Sequence, residues 1–376
     1  MGLALTGARI FDGEEFRDGH AVVIDGSRIT AVVPHSQIPS GIENRNLGGG
    51  LLAPGFIDVQ VNGGGGALLN GDPSVDTVRV IAAAHRKFGT VGLLPTVITD
   101  APGVLMKAVA AVRAARESKV PGVLGIHIEG PFLDSERKGA HAARFIRAMT
   151  EADVAEIAGL DCGAVMLTLA PNKVSPLFVK QLAERGVLVS LGHAEATYEE
   201  TMAALGSGAR AFTHIFNAMS QMTGRQPGMV GAALGDPQSF AGVIADGHHV
   251  HDAALRVAFA VKQASRMMLI SDAMPTAAGG PAAFDLQGRA VVLENGRLQL
   301  EDGTLAGSNL TMDEAVRYCV NTLKLDLGAT LRMASLNPAG FLRRDHEMGR
   351  IAPGYLASLV HLGDDLQVRA TWIDGT

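Results

Sequence analysis

The chain has 376 residues, with 32 Lys plus Arg against 38 Asp plus Glu, a formal charge of −6, 19% charged and 47% apolar residues. That length fits two domains, or one large α/β barrel with an appendage, and it buries a full core without covalent staples. The charge balance excludes a surface built mainly for nucleic-acid phosphates, and the apolar share excludes disorder.

Cys162 and Cys319 are the only cysteines and lie far apart. A disulfide framework and a thiolate zinc site are therefore excluded, and any metal falls to His and carboxylates. Residues 1–10 carry no signal-peptide pattern, and no run reaches the roughly 18–20 apolar residues of a membrane helix. The expectation is a cytoplasmic protein with neither membrane nor nucleic acid as a partner.

The first fifty residues alternate short apolar runs (3–5, 8–11, 21–24, 29–33) with turn signals such as Asp25-Gly26. This spacing predicts small antiparallel strands. From Phe56 onward the rhythm changes. Eight β-branched runs follow, at 56–61, 91–98, 123–128, 164–169, 187–191, 211–213, 240–245 and 267–270. Ala- and Leu-rich helical stretches at 76–88, 104–117, 151–160, 177–185, 198–205 and 253–264 lie between them. Alternation on this scale predicts a (β/α)₈ TIM barrel.

The competing doubly wound sheet lacks its Gly-x-Gly-x-x-Gly turn, since Gly63 to Gly66 is a bare glycine run. A hairpin excursion is expected at 284–301 and helices at 312–323 and 331–342, after which 349–376 returns to short strands. The expected organisation is a barrel over 54–345 and a small β-sandwich domain built from both termini, 1–53 and 346–376.

Polar residues recur where the barrel strands end: Gln60 and Asn62 on the first, Glu129 after the third, His193 after the fifth, His214 after the sixth, Asp246 after the seventh and Asp272 after the eighth. Barrel enzymes act at that rim. His193 and His214, one strand–helix repeat apart, stand on adjacent strands about 4.8 Å apart. With Glu129 they form a three-ligand site with an open position for water. Taken singly, each has a plainer explanation: a hydrogen-bonded loop His, a solvated Glu, an N-capping Asp.

Several motifs carry a family likeness. Leu52 to Asp58 (Leu-Ala-Pro-Gly-Phe-Ile-Asp) resembles the entry strand of the amidohydrolase superfamily. His127-Ile128-Glu129-Gly130-Pro131-Phe132, Lys138-Gly139-Ala140-His141, Leu191-Gly192-His193 and Thr213-His214-Ile215-Phe216-Asn217-Ala218-Met219 follow in order. So do Asp246-Gly247-His248-His249, Ser271-Asp272-Ala273 and Leu305-Ala306-Gly307-Ser308. Together they are similar to the N-acetylglucosamine-6-phosphate deacetylase family over essentially the whole chain.

The resemblance implies hydrolysis of N-acetyl-D-glucosamine 6-phosphate to D-glucosamine 6-phosphate and acetate in amino-sugar recycling. It implies one divalent ion on Glu129, His193 and His214, zinc first, with iron, manganese or cobalt as alternatives. One ion rather than two is expected because Gln60-Val61-Asn62 stands where the superfamily usually has His-x-His, and amides are weak ligands.

The implied catalytic pair is Asp272, the proton carrier, and His141, on the carbonyl oxygen. Arg225, His249, Asn217 and the Ala218 backbone are expected around the phosphate, with His248 as the rival of His249. Ala140, Asp246, Leu305, Ala306 and Gly307 are expected to line the sugar, and a homodimer to share the shell. The alternatives are a cyclic-amide hydrolase of the dihydroorotase or dihydropyrimidinase kind and a non-catalytic scaffold on the same barrel.

Overall fold

The computed structural model describes residues 2–376. Its centre is one parallel sheet of eight strands: β1 (Phe56–Val61), β2 (Thr90–Ile98), β3 (Gly125–Glu129), β4 (Ala164–Leu169), β5 (Leu188–Leu191), β6 (Ala211–Phe212), β7 (Phe240–Val243) and β8 (Met267–Leu269). Each strand pairs in parallel with the next in chain order. β1 and β8 share no regular ladder; a Val61–Ala273 bridge and the bonds Asn62 N–H to Ala273 O and Asp272 N–H to Gln60 O bring the edges together. The (β/α)₈ barrel expected from the alternation is the fold found.

Eight helices follow the strands: α1 (Val75–Arg86), α2 (Pro102–Glu117), α3 (Glu151–Ala158), α4 (Pro176–Glu184), α5 (Tyr198–Gly206), α6 (Gly228–Gly235), α7 (Asp252–Val261) and α8 (Met312–Arg317). Local chemistry starts several of them. Ser74 accepts the Thr77 N–H at the head of α1, and Thr150/Asp153 and Thr197/Glu200 form capping boxes on α3 and α5. α1 buries Val78, Ile81, Ala82 and His85 on one side, the three-and-four spacing of a helix lying on a sheet.

Helix α6 lies in a stretch for which no helix was expected; its sequence, Gly-Met-Val-Gly-Ala-Ala-Leu-Gly, has helix-weakening glycines and no polar face, and it is held by burial. The helix expected over 331–342 is two, α9 (Leu327–Ala334) and α10 (Leu336–Phe341), broken at Ser335 (φ −135°, ψ −74°). Pro338 has no N–H to continue the ladder across that break. The expected hairpin at 284–301 is a three-stranded antiparallel sheet, Ala283–Asp285, Ala290–Glu294 and Arg297–Gln299.

Both termini build the small sandwich. One sheet holds Arg28–Pro34, His20–Asp25, Leu3–Thr6 and Glu43–Asn46; the other holds Val368–Trp372, Leu359–Leu362, Leu51–Pro54, Arg9–Phe11 and Phe16–Arg17. Leu5, Ile10, Val22, Ile24, Ile29, Leu52, Leu359 and Trp372 pack between them. The sheets are mixed rather than purely antiparallel, because Leu3–Thr6 pairs in parallel with Glu43–Asn46 and Arg9–Phe11 with Leu51–Pro54. Glu43–Asn46 is exposed throughout and has no apolar alternation to announce it.

The barrel interior below the rim is polar and hydrogen-bonded. His127 Nδ1 meets the Thr96 hydroxyl at 3.2 Å and its Nε2 the Thr168 hydroxyl at 2.7 Å. Thr168 and Ser190 each meet Thr213 at 2.7 Å. This floor locks β2 to β6 in register directly beneath Glu129 and His214.

Candidate active site

The chain turns sharply at the ends of β5, β6 and β8. His193, His214 and Asp272 all take left-handed backbone conformations (φ 50°, 31° and 52°). Non-glycine residues occupy that region at a cost of about 1 kcal/mol or more, and the surrounding packing must hold them there. The turns aim the three side chains into one cavity of about 380 Å³, whose wall also includes Glu129, His141 and His249.

Three ligand atoms converge. Glu129 Oε1 is 3.1 Å from His193 Nε2 and 3.1 Å from His214 Nε2, and the two Nε2 atoms are 3.1 Å apart. All three residues are buried, and they are the only group with metal-binding geometry among the described residues. His193 donates its Nδ1–H to the Arg137 carbonyl at 2.9 Å, so its Nε2 presents a lone pair inward. A proton on His214 Nε2 can serve only one of its two neighbours, whereas a cation serves all three acceptors. The spacing suits ligands each about 2.0–2.1 Å from one ion, and two imidazoles with a carboxylate form a donor set for a single divalent metal. Burial alone would raise the Glu129 carboxyl, but hydrogen bonds and charge from His193 and His214 outweigh it and hold it well below the usual range.

The other half of the rim has the opposite polarity. Gln60 Nε2 lies 3.2 Å from Glu129 Oε2 and 3.1 Å from Asp272 Oδ1, and Asn62 Nδ2 lies 2.7 Å from the same Asp272 oxygen. Both amides act as donors toward carboxylates, and their own carbonyl oxygens are buried without partners. Asp272 is pushed up to about 6, first by burial and then by the Glu129 charge. Beneath it Asp58, wholly buried, accepts the N–H groups of Gln60 and Ser271 and so ties the end of β8 to β1.

His141 packs edge-on against His193, with ring centres 4.4 Å apart, and burial followed by the charge of His193 holds its imidazole well below the usual range. His249 faces the cavity, anchored by Asp246 Oδ2 on its Nδ1 at 2.6 Å, while His248 turns away toward Arg297.

Ala140, Asn217, Ala218, Leu305 and Gly307 line the wall. Three other residues singled out from the sequence do not. Asp246 stands behind His249 as its anchor. Ala306 is fully buried in a cluster with Ile98, Met274 and Leu286, because alternation in an extended segment turns it away from its neighbours. Arg225 sits on an exposed turn closed by Thr223 and Gln226. Glu136, Arg137 and Met274 also line the cavity. Glu136 and Arg137 lie in the 3-10 turn Ser135–Arg137 and Met274 on a loop, with no regular spacing, and nothing in the sequence marked them out.

An eight-stranded barrel with a His₂Glu cluster and an adjacent aspartate at its C-terminal rim is the architecture of a metal-dependent hydrolase. The chain belongs to the amidohydrolase family, whose sequence profile matches residues 51–376, and the profile of the NagA composite domain matches residues 3–52.

The chain is 41% identical over 346 residues to the N-acetylgalactosamine-6-phosphate deacetylase of Shewanella sp. (strain ANA-3), covering 92% of this chain and 85% of that one. The crystal structure of N-acetylglucosamine-6-phosphate deacetylase from Pasteurella multocida superposes with a TM-score of 0.97 at 34% identity, covering 100% of this chain and 99% of that one. A mutant of the Mycobacterium smegmatis N-acetyl-D-glucosamine-6-phosphate deacetylase, in complex with N-acetyl-D-glucosamine-6-phosphate, matches with a TM-score of 0.92 at 30% identity, covering 100% of this chain and 98% of that one.

Proposed function

We propose that this chain deacetylates N-acetyl-D-glucosamine 6-phosphate, giving D-glucosamine 6-phosphate and acetate in amino-sugar catabolism. The observation that carries the reading is the meeting, in one cavity, of the Glu129–His193–His214 cluster with the carboxylate of Asp272, in a chain related end to end to deacetylases of this type.

Glu129, His193 and His214 would hold one divalent cation, zinc by preference for this donor set, with iron, manganese or cobalt as substitutes. When bound, such an ion acidifies a water and polarises a carbonyl. Asp272 takes the proton of the attacking water as the new C–O bond forms, then delivers it to the amide nitrogen as the C–N bond breaks. His141 faces the carbonyl oxygen and stabilises the oxyanion, a contribution commonly worth about 3 kcal/mol.

His249, Asn217 and the Ala218 backbone receive the phosphate, with Asp246 fixing the His249 ring. Ala140 and the 305–307 segment border the sugar. Arg225 lies on an exposed turn and reaches a phosphate only across a homodimer interface. The β-sandwich of residues 1–53 and 346–376 is taken as a unit beside the barrel of 54–345, in a cytoplasmic protein. A cyclic-amide hydrolase finds no support at β1, where Gln60 and Asn62 direct their N–H groups at carboxylates.

The test is acetate release by metal-quantified protein from N-acetylglucosamine 6-phosphate, run beside the galactosamine epimer, the unphosphorylated sugar and dihydroorotate. Turnover of the phosphorylated glucosamine derivative with close to one metal per chain is expected. Faster turnover of the galactosamine epimer would move the substrate assignment to the chemistry of the Shewanella relative. Silence on both phosphorylated sugars after metal reconstitution overturns the reading.

A further inference from the structure

His193 stands in a left-handed backbone conformation (φ 50°) that its surroundings must enforce. Two hydrogen bonds hold it, and both come from one turn. Its main-chain carbonyl accepts the Asp134 N–H at 2.9 Å, and its ring donates Nδ1–H to the Arg137 carbonyl at 2.9 Å. A carbonyl only accepts, so this contact leaves the neutral ring one tautomer, with the Nε2 lone pair turned on Glu129 and His214. The Arg137 N–H closes the turn onto the Asp134 carbonyl at 3.0 Å.

The carboxylate of Asp134 ties that turn to its neighbours, and its side chain is 2% exposed. Oδ1 accepts the Glu136 N–H at 3.2 Å, capping the turn, and has Lys173 Nζ at 3.4 Å. Oδ2 accepts the Asn172 side-chain N–H at 2.6 Å and the Glu195 N–H at 3.4 Å. The donors come from the loops after β3, β4 and β5. A carboxylate offers about four lone-pair sites, and these donors use them all. Asn172 is committed to this contact: among the described residues its Nδ2 has no other partner, and its Oδ1 is buried without one. Asp134 itself is not part of the cavity wall.

We propose that Asp134 is a positioning residue of the metal centre: by pinning the 134–137 turn to the loops after β4 and β5, it holds the Arg137 carbonyl on His193 Nδ1 and keeps Nε2 turned on Glu129 and His214. This rests on the metal reading of those three residues and on nothing about the substrate. A ligand ring whose other nitrogen is already hydrogen-bonded is oriented before the ion arrives, and loosening that partner typically weakens metal binding about 10- to 100-fold.

The test is zinc affinity, measured on metal-free protein by competition with a chelator, beside the melting temperature of the same metal-free samples. Asp134→Ala should raise the zinc dissociation constant about 10- to 100-fold, and Asn172→Ala about 3- to 10-fold. Because Asn172 acts through Asp134, the double variant should bind zinc within about twofold of Asp134→Ala, and losses that add in full refute that link. The visible absorption bands of cobalt-loaded protein, which report ligand geometry, should shift in Asp134→Ala. A folded Asp134→Ala that binds zinc within about threefold of wild type, with unmoved cobalt bands and only a lower melting temperature, refutes the proposal and makes Asp134 a support of the fold. Where Asp134→Ala does not fold, Asp134→Asn decides: it keeps an acceptor for the Glu136 N–H but turns N–H groups on Asn172 and Glu195, and zinc affinity within about threefold of wild type again refutes the role. A wild type that binds no zinc removes the metal reading itself, whatever the variants do.

Discussion

The two halves of the barrel rim hold the same kind of groups at the same depth and differ in the balance of donors and acceptors. At the ends of β3, β5 and β6, Glu129, His193 and His214 turn three acceptors on one another at 3.1 Å, and only a cation or shared protons reconcile them. At the ends of β1 and β8, the carboxylate of Asp272 meets amide N–H donors from Gln60 and Asn62 and needs no ion. A site's metal count thus follows from where lone pairs are left in excess, not from how many polar side chains crowd together. Gln60 spans both halves, with one amide nitrogen near Glu129 and Asp272 alike.

The largest break would come from emptying the acceptor half. Chelation, or His214→Asn, is expected to take acetate release to background, with zinc restoring the chelated protein and not the variant; metal analysis beside the assay checks it. Next is Asp272→Asn, which removes the proposed proton carrier but keeps a polar group among the amides. A fall in kcat of roughly 10³-fold or more is expected, with metal content kept and KM changed only a few-fold. Turnover within tenfold of wild type would remove Asp272 from the chemistry.

The comparison is sharpened at Gln60. Gln60→Leu leaves Glu129 Oε2 and Asp272 Oδ1 without a shared donor, and a 10- to 100-fold loss in kcat is expected, roughly 1.4–2.8 kcal/mol of lost stabilisation. Replacing both amides, Gln60→His with Asn62→His, turns that half into acceptors as well. Metal content measured after reconstitution should then rise from one toward two per chain, and a content still at one would refute the acceptor-excess account.

The smallest effect lies outside the rim, where an aspartate meets a full positive charge. Asp153 is pushed down to about 2, chiefly by its hydrogen bonds from Arg147, against the upward shift of Asp272. A carboxyl depressed in the folded state adds stability above the ordinary carboxylate range, and this is lost as pH falls from about 4 toward 2. Arg147 is 43% exposed, so the pair is worth roughly 1 kcal/mol or less. Arg147→Met should lower Tm by about 1 °C or less at pH 7, with the difference closing in acid; a difference that persists at pH 2 would assign the loss to packing on Phe132.

The barrel strands were legible to within a few residues because each is a short β-branched run buried on both faces. Phe56–Val61 and Ala164–Leu169 coincide with their expected bounds. What escaped was structure made by context. Helix α6 is apolar on every side and glycine-rich, so it has no periodicity to read. Glu43–Asn46 is a strand only because Leu3–Thr6 offers it an edge. In the site, His193 and His214 stood out as one repeat apart, whereas Asp134 is one aspartate among many until Asn172 arrives from a loop 38 positions later.

By itself the sequence determined the barrel, the small β domain and which polar residues stand at each strand end, because side-chain periodicity and turn chemistry are local. Only the tertiary structure decided that His249 rather than His248 faces the cavity, that Asp246 and Ala306 do not, and that the β1 amides serve as donors. Those outcomes depend on which lone pairs and protons meet across strands far apart in the chain, and no local pattern encodes such meetings.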